Sequence, residues 1–69
     1  MNIVTVTKMN VARCDWKVTL IKNGKQEKAD EIRGDAGQAA ACALNMSAKN
    51  GGVKIVGALT VMQIIEVAK

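Results

Sequence analysis

The chain predicts an α+β fold: a small antiparallel sheet of four or five strands with one helix packed on it, in the order β-β-β-α-β-β. Three observations carry that expectation. Runs of β-branched residues open and close the chain, an Asn-Gly dipeptide interrupts an alternating stretch, and one alanine-rich run lies between an acidic cap and two glycines. At 69 residues there is room for a single domain, 1–69, with a core of Val, Ile, Leu, Met and Ala, because Trp16 is the only aromatic.

The first element is "IVTVT", Ile3 to Thr7, which is β-branched throughout and suits a pleated surface. After a less regular "KMNVARCD" comes "WKVTLI", where Trp16, Val18 and Leu20 point one way and Lys17, Thr19 and Ile21 the other. In "KNGK", Asn23 and Gly24 tolerate the two positive φ angles of a type I′ hairpin turn. The returning strand, "QEKADEIR", then sets Lys22 opposite Lys25, Leu20 opposite Glu27 and Val18 opposite Ala29. In that register Ile32 falls on the outer face unless a bulge shifts it. The charges on this strand predict a place at or near a sheet edge.

The helix is expected within "GDAGQAAACALNMSAKNGG", Gly34 to Gly52. Asp35 is a good N-cap, Gln38 is its capping-box partner, and Asn50, Gly51 and Gly52 end the helix. Ala36, Ala40, Ala43, Leu44 and Ser47 share one stripe, flanked by Ala39, Cys42 and Met46. Such small side chains let a helix lie close to a sheet. The last stretch, Val53 to Val67, reads as two strands about Gly57, or as one long bent strand.

Catalysis finds little material. There is no histidine, and Cys14 and Cys42 lie far apart with no C-x-x-C spacing, which argues against a zinc site or a disulfide scaffold and for a reducing cytoplasm. Both thiols read as structural, and Met9, Met46 and Met62 as core filler. Ser47, the only serine, falls inside the expected helix, while Asp30 and Glu31 are adjacent on a strand and so face opposite sides. "GDAG" before a helix suggests an anion site, but Asp35 itself takes those N–H donors. The expectation is a non-enzymatic protein with no catalytic residue, metal, cofactor or small-molecule ligand. "MNIVTVTKMNVAR" does not read as a signal peptide. Lys54, Gly57, Thr60, Gln63 and Glu66 break the apolar-leaning end, so no bilayer span is expected.

The net charge of +4 permits nucleic-acid or acidic-protein partners. Lys17, Lys22, Lys25 and Lys28 fall along the hairpin, with Lys8 and Arg13 just before it. They read as a solvated face or as a positive ribbon that follows a phosphate backbone, although Trp16, placed with the core, offers no stacking platform. Charge and exposure mark Lys17, Lys22, Asn23, Lys25, Lys28, Arg33 and Lys49 as partner-binding candidates. The exposed edge strand leaves monomer and homodimer both open.

Taken in order, "IVTVT", "WKVTLIKNGK", "GDAGQAAACALNMSAKNGG" and "VKIVGALTVMQII" resemble the small phage-encoded anti-CRISPR proteins of the type I-F class. The resemblance runs from Ile3 to Ile65, and its most specific parts are the strand ending in N-G-K and the alanine-rich helix with Met46 before a glycine turn. The absence of proline departs from that family and puts the turn chemistry in doubt. The resemblance implies an inhibitor that acts by binding in the cytoplasm of a bacterial host. Its partner is then the RNA-guided surveillance (Csy) complex, through its large subunit, and the implied block falls on nuclease-helicase recruitment or on DNA targeting. It carries no contact residues over. A small basic nucleic-acid-binding protein using the lysine-rich hairpin is the alternative, and a toxin, antitoxin or regulatory subunit recognising an acidic patch a third reading.

Overall fold

The β-branched opening forms β1 (Ile3–Val11), paired antiparallel with β2 (Cys14–Lys22) so that Val4 lies opposite Leu20 and Val6 opposite Val18. The computed structural model describes residues 2–11 and 14–68. β3 (Lys25–Ile32) returns along the far side of β2, α1 (Ala36–Lys49) crosses the sheet, and β4 (Lys54–Gly57) joins beside β1. α2 (Leu59–Ala68) follows. The fold is α+β, with sheet order β3-β2-β1-β4 and element order β-β-β-α-β-α.

Two expectations are corrected here. The sheet is mixed rather than antiparallel, because α1 carries the chain back along the sheet and the next strand runs parallel to β1. The end of the chain is one short strand and a second helix rather than two strands. Its β-branched residues suggested a strand, yet Val61 and Ile65, four positions apart, are buried, Met62 packs beside them, and Thr60, Gln63, Ile64 and Glu66 are exposed. That spacing follows a helix, and packing on α1 and β4 overrides local propensity.

Gly57 marks the change of direction. A Cβ there would sit 2.4 Å from the Val6 carbonyl oxygen, so β4 approaches β1 as only glycine permits. The next amide, Ala58 N–H, donates to that same oxygen at 3.1 Å and ends the ladder. No hairpin turn is made at Gly57.

The β2–β3 pairing contains a register shift between Leu20 and Ile21. Lys22 does lie opposite Lys25, but Leu20 meets Lys28 and Val18 meets Asp30, in place of Glu27 and Ala29. Glu27 is the extra residue of a bulge. This one-residue shift brings Ile32 opposite Trp16 and turns it onto the core face, where it is half-buried. β3 is an edge strand, as its charges predict.

One face of the sheet holds the core. Val4, Val6, Trp16, Val18, Leu20 and Ile55 meet Ala39, Ala40, Ala43 and Met46 of α1 and Val61 and Ile65 of α2. Each large aliphatic side chain buried there contributes about 1.5–3 kcal/mol. The alanines let α1 sit low over β1 and β2, leaving room beside it for α2 against β4. Cys14 is buried too, its thiol donating to the Trp16 carbonyl at 3.0 Å.

α1 is closed at both ends by local chemistry. The Asp35 carboxylate accepts the Gln38 N–H at 3.0 Å. At the other end Gly52 N–H donates to Ser47 O and Gly51 N–H to Ala48 O, with both glycines at positive φ, the Schellman arrangement. Asn50 Nδ2 donates to Met46 O at 2.7 Å, and Ser47 Oγ donates to Val53 O at 2.5 Å, tying α1 to the start of β4.

Candidate interaction surface

The hairpin tip is built as the Asn-Gly pair requires. Asn23 and Gly24 have φ of 54° and 78°, the two left-handed residues of a type I′ turn. Asn23 N–H donates to Asn2 Oδ1 at 3.1 Å, which ties the tip to the beginning of β1. Lys22 and Lys25 face each other across this turn, a like-charge pair that a partner's carboxylates or phosphates would relieve.

The bulge decides where the remaining lysines go. By pairing with Leu20 rather than standing one place away, Lys28 falls on the helix side of the sheet. There it lines a notch of about 70 Å³ with Asp30, Cys42, Asn45, Met46 and Lys49. Alternation places Lys22 and Lys25 on the same side. The result is a flank of four lysines, Lys22, Lys25, Lys28 and Lys49, against the carboxylates of Asp30 and Glu27. The last of these lines the tip beside Lys22, Asn23 and Lys25.

Lys17 does not join them. It lies on the open face of the sheet, opposite Glu31 of β3 and Thr7 of β1. The single ribbon expected from Lys17, Lys22, Lys25 and Lys28 is therefore split by the sheet, since odd and even positions of β2 face opposite sides. Lys49, from α1, takes the place that Lys17 would have filled. Arg33 is exposed just after β3, and Arg13 lies outside the described residues. Lys8 stands opposite Trp16, its Nζ 5.0 Å from the ring centroid, in cation–π contact with a tryptophan that is otherwise buried.

Within the notch the Cys42 thiol sits 3.9 Å from Asp30 Oδ2. Its pKa is raised above the ordinary 9.0, first by burial and then by the Asp30 carboxylate, with Lys28 pulling the other way. A thiol held protonated is a poor nucleophile. Cys14 and Cys42 are both free. Among the described residues no group of three or more His, Cys, Asp and Glu side chains is placed to hold a metal ion. Asp30 and Glu31 fall on opposite faces, Asp30 opposite Val18 and Glu31 opposite Lys17.

The entry to α1 is occupied by the chain's own groups. Asp35 caps the first turn, Asp15 Oδ2 accepts the Gly34 N–H at 2.8 Å, and Trp16 Nε1–H donates to the Gly34 carbonyl at 3.2 Å. Both polar groups of the Gly34 backbone are thus used in anchoring the helix to β2.

Residues that the sequence pattern did not mark lie at the opposite edge of the sheet. Val56, Leu59, Ile64 and Val67 are large, apolar and exposed, by 45%, 73%, 38% and 87%. Reading Val53 to Val67 as two strands about Gly57, or as one bent strand, leaves out the helix on whose outer side Leu59, Ile64 and Val67 lie. Apolar residues at helical spacing, Ala58, Val61, Met62 and Ile65, are the signal the sequence offers for that helix. No described helix is long and apolar enough to cross a membrane. No protein family, curated protein or solved structure matches this chain.

Proposed function

We propose that this chain is a non-enzymatic inhibitor of a bacterial type I-F CRISPR–Cas system, acting by binding the RNA-guided surveillance complex. The resemblance from Ile3 to Ile65 to anti-CRISPR proteins of that class supplies the partner. The observation that carries a docking role is the lysine flank, in which Lys22, Lys25, Lys28 and Lys49 outnumber the neighbouring carboxylates on one side of a rigid hairpin and helix. A concentrated positive surface steers association with an acidic partner and fixes its orientation. Asn23 at the tip, and Arg33 and Lys17 at the margins, extend the contact. Binding blocks recruitment of the nuclease-helicase, through the large subunit, or blocks DNA targeting.

The test is co-elution on size exclusion with purified type I-F surveillance complex, free and bound to target DNA. Retention in either state supports the reading, and the state retained tells whether the block precedes or follows target recognition. The Lys28→Glu, Lys49→Glu double variant is expected to lose retention while keeping its fold. Recovery of nothing in both states would overturn the proposal. The alternative, nucleic-acid binding through the same flank, predicts DNA or RNA affinity that falls steeply with salt. Removing two of these lysines should then lower the slope by about two.

A further inference from the structure

The tripeptide Lys-Asn-Gly occurs twice, at Lys22-Asn23-Gly24 and at Lys49-Asn50-Gly51. An asparagine followed by glycine is prone to lose its side-chain amide, because glycine has no Cβ to keep its backbone nitrogen away from the asparagine Cγ. By sequence the two sites are near equals. The fold makes them different. Asn50 is the C-cap of α1 and half-buried, its Nδ2 donating to Met46 O at 2.7 Å, while the Gly51 N–H donates to Ala48 O at 3.4 Å. Both groups that would react there are held in hydrogen bonds that must break first. Asn23 is exposed at the hairpin tip. In a type I′ turn the cross-turn bond uses the Lys25 N–H and the Lys22 carbonyl, which leaves the Gly24 N–H facing solvent.

Charge favours the same site. Lys22 and Lys25 face each other across the turn, so two positive charges flank the Gly24 nitrogen as it gives up its proton and becomes a nucleophile. Asn50 has Lys49 on one side but Gly51 and Gly52 on the other. The lysine pair also favours the product, since a carboxylate formed between two facing lysines relieves their repulsion. What restrains Asn23 is the turn itself. Ring closure needs the Asn23–Gly24 peptide to swing out of the type I′ conformation, and the Asn23 N–H bond to Asn2 Oδ1, at 3.1 Å, holds the tip against that motion.

We propose that Asn23 is a deamidation site and that the fold protects Asn50. The Gly24 nitrogen, its proton passed to a solvent base, bonds to Asn23 Cγ, and the side-chain nitrogen leaves as ammonia. Water then opens the resulting succinimide at either carbonyl, giving aspartate or isoaspartate. In sum, an amide and a water become a carboxylic acid, ionised at neutral pH, and ammonia. The net charge of +4 falls by one at the tip of the lysine flank. In the isoaspartate form the main chain gains a methylene, which takes the turn out of its two-residue geometry.

Peptide mapping by mass spectrometry, after incubation of the full chain at mildly alkaline pH, tests this, with fragmentation that separates isoaspartate from aspartate. In the folded chain Asn23 should convert about tenfold faster than Asn50, where two hydrogen bonds must be given up. In urea those bonds are gone, and the two rates should draw level. Asn2→Ala frees the Asn23 N–H and should speed conversion at Asn23 while leaving Asn50 unchanged. Lys22→Ala with Lys25→Ala should slow it. Asn23 and Asn50 are compared within one molecule, so the comparison stands whether or not a variant folds. Equal rates at the two sites in the folded chain, faster loss at Asn50, no conversion at Asn23, or an Asn23 rate unmoved by either variant overturns the proposal.

Discussion

α1 and α2 lie side by side over one face of the sheet, yet they are helices for different reasons. α1 is made locally: a capping aspartate, a run of alanines, two glycines in a Schellman turn and Lys49 in the last turn all favour helix before any tertiary contact forms. α2 has none of these. Ala58 precedes its first turn, no acidic residue opens it and no basic residue closes it, and five of its ten residues are β-branched. Burial of Val61 and Ile65 against α1 and β4 holds it in place. One helix is written in its own residues, and the other is imposed by its neighbours.

That contrast predicts unequal sensitivity. Ile65→Ala, at a position 2% exposed, should cost about 2–5 kcal/mol in urea unfolding, because α2 loses the contact that makes it a helix. Ile64→Ala, one residue away and 38% exposed, should change stability far less. Similar losses at the two sites would break the distinction. Gly57→Ala comes next, at about 1–3 kcal/mol, since the new methyl would meet the Val6 carbonyl oxygen and push α2 off the sheet. Thermal unfolding reads this directly, and an unchanged midpoint would mean that the turn into α2 is looser than the geometry indicates.

On the α1 side the effects are smaller and separable. Asp35→Ala should cost about 1 kcal/mol, and Asp35→Asn close to nothing, because asparagine caps equally well. If the alanine variant costs as much as Ile65→Ala, α1 is no more locally determined than α2. The smallest effect concerns Cys42. Replacing Asp30 by Asn removes a charge that raises the thiol pKa, so that pKa should fall toward 9.0 and alkylation at a fixed alkaline pH should speed up. Linkage gives the matching sign. A folded pKa above 9.0 contributes stability that is present below pH 9.0 and lost as pH rises through the folded value, a loss that Asp30→Asn should reduce.

The same contrast explains which parts of the molecule were legible. The first three strands, the type I′ turn, the edge position of β3 and both ends of α1 could be read because turn and cap chemistry act over three or four residues. The bulge beside Leu20 was foreseen only as the condition for burying Ile32, since its cause is the match between Ile32 and Trp16 across the sheet. Of the candidate contact residues, Lys22, Lys25, Lys28 and Lys49 come together, while Lys17 is sent to the other face. A single register step decides that, and composition does not record it.

By itself the sequence determined an α+β fold, the hairpin, the capped alanine helix, the near absence of aromatic bulk in the core and the surplus of positive charge. Each follows from side-chain chemistry acting within a few residues. Tertiary structure alone decided that β4 runs parallel to β1, that the β-branched end becomes α2, and that four lysines gather beside β3 while the large exposed apolar residues lie on β4 and α2. Those outcomes depend on which surfaces meet across the fold, and burial of Val61 and Ile65 outweighs the weak strand preference of the residues around them.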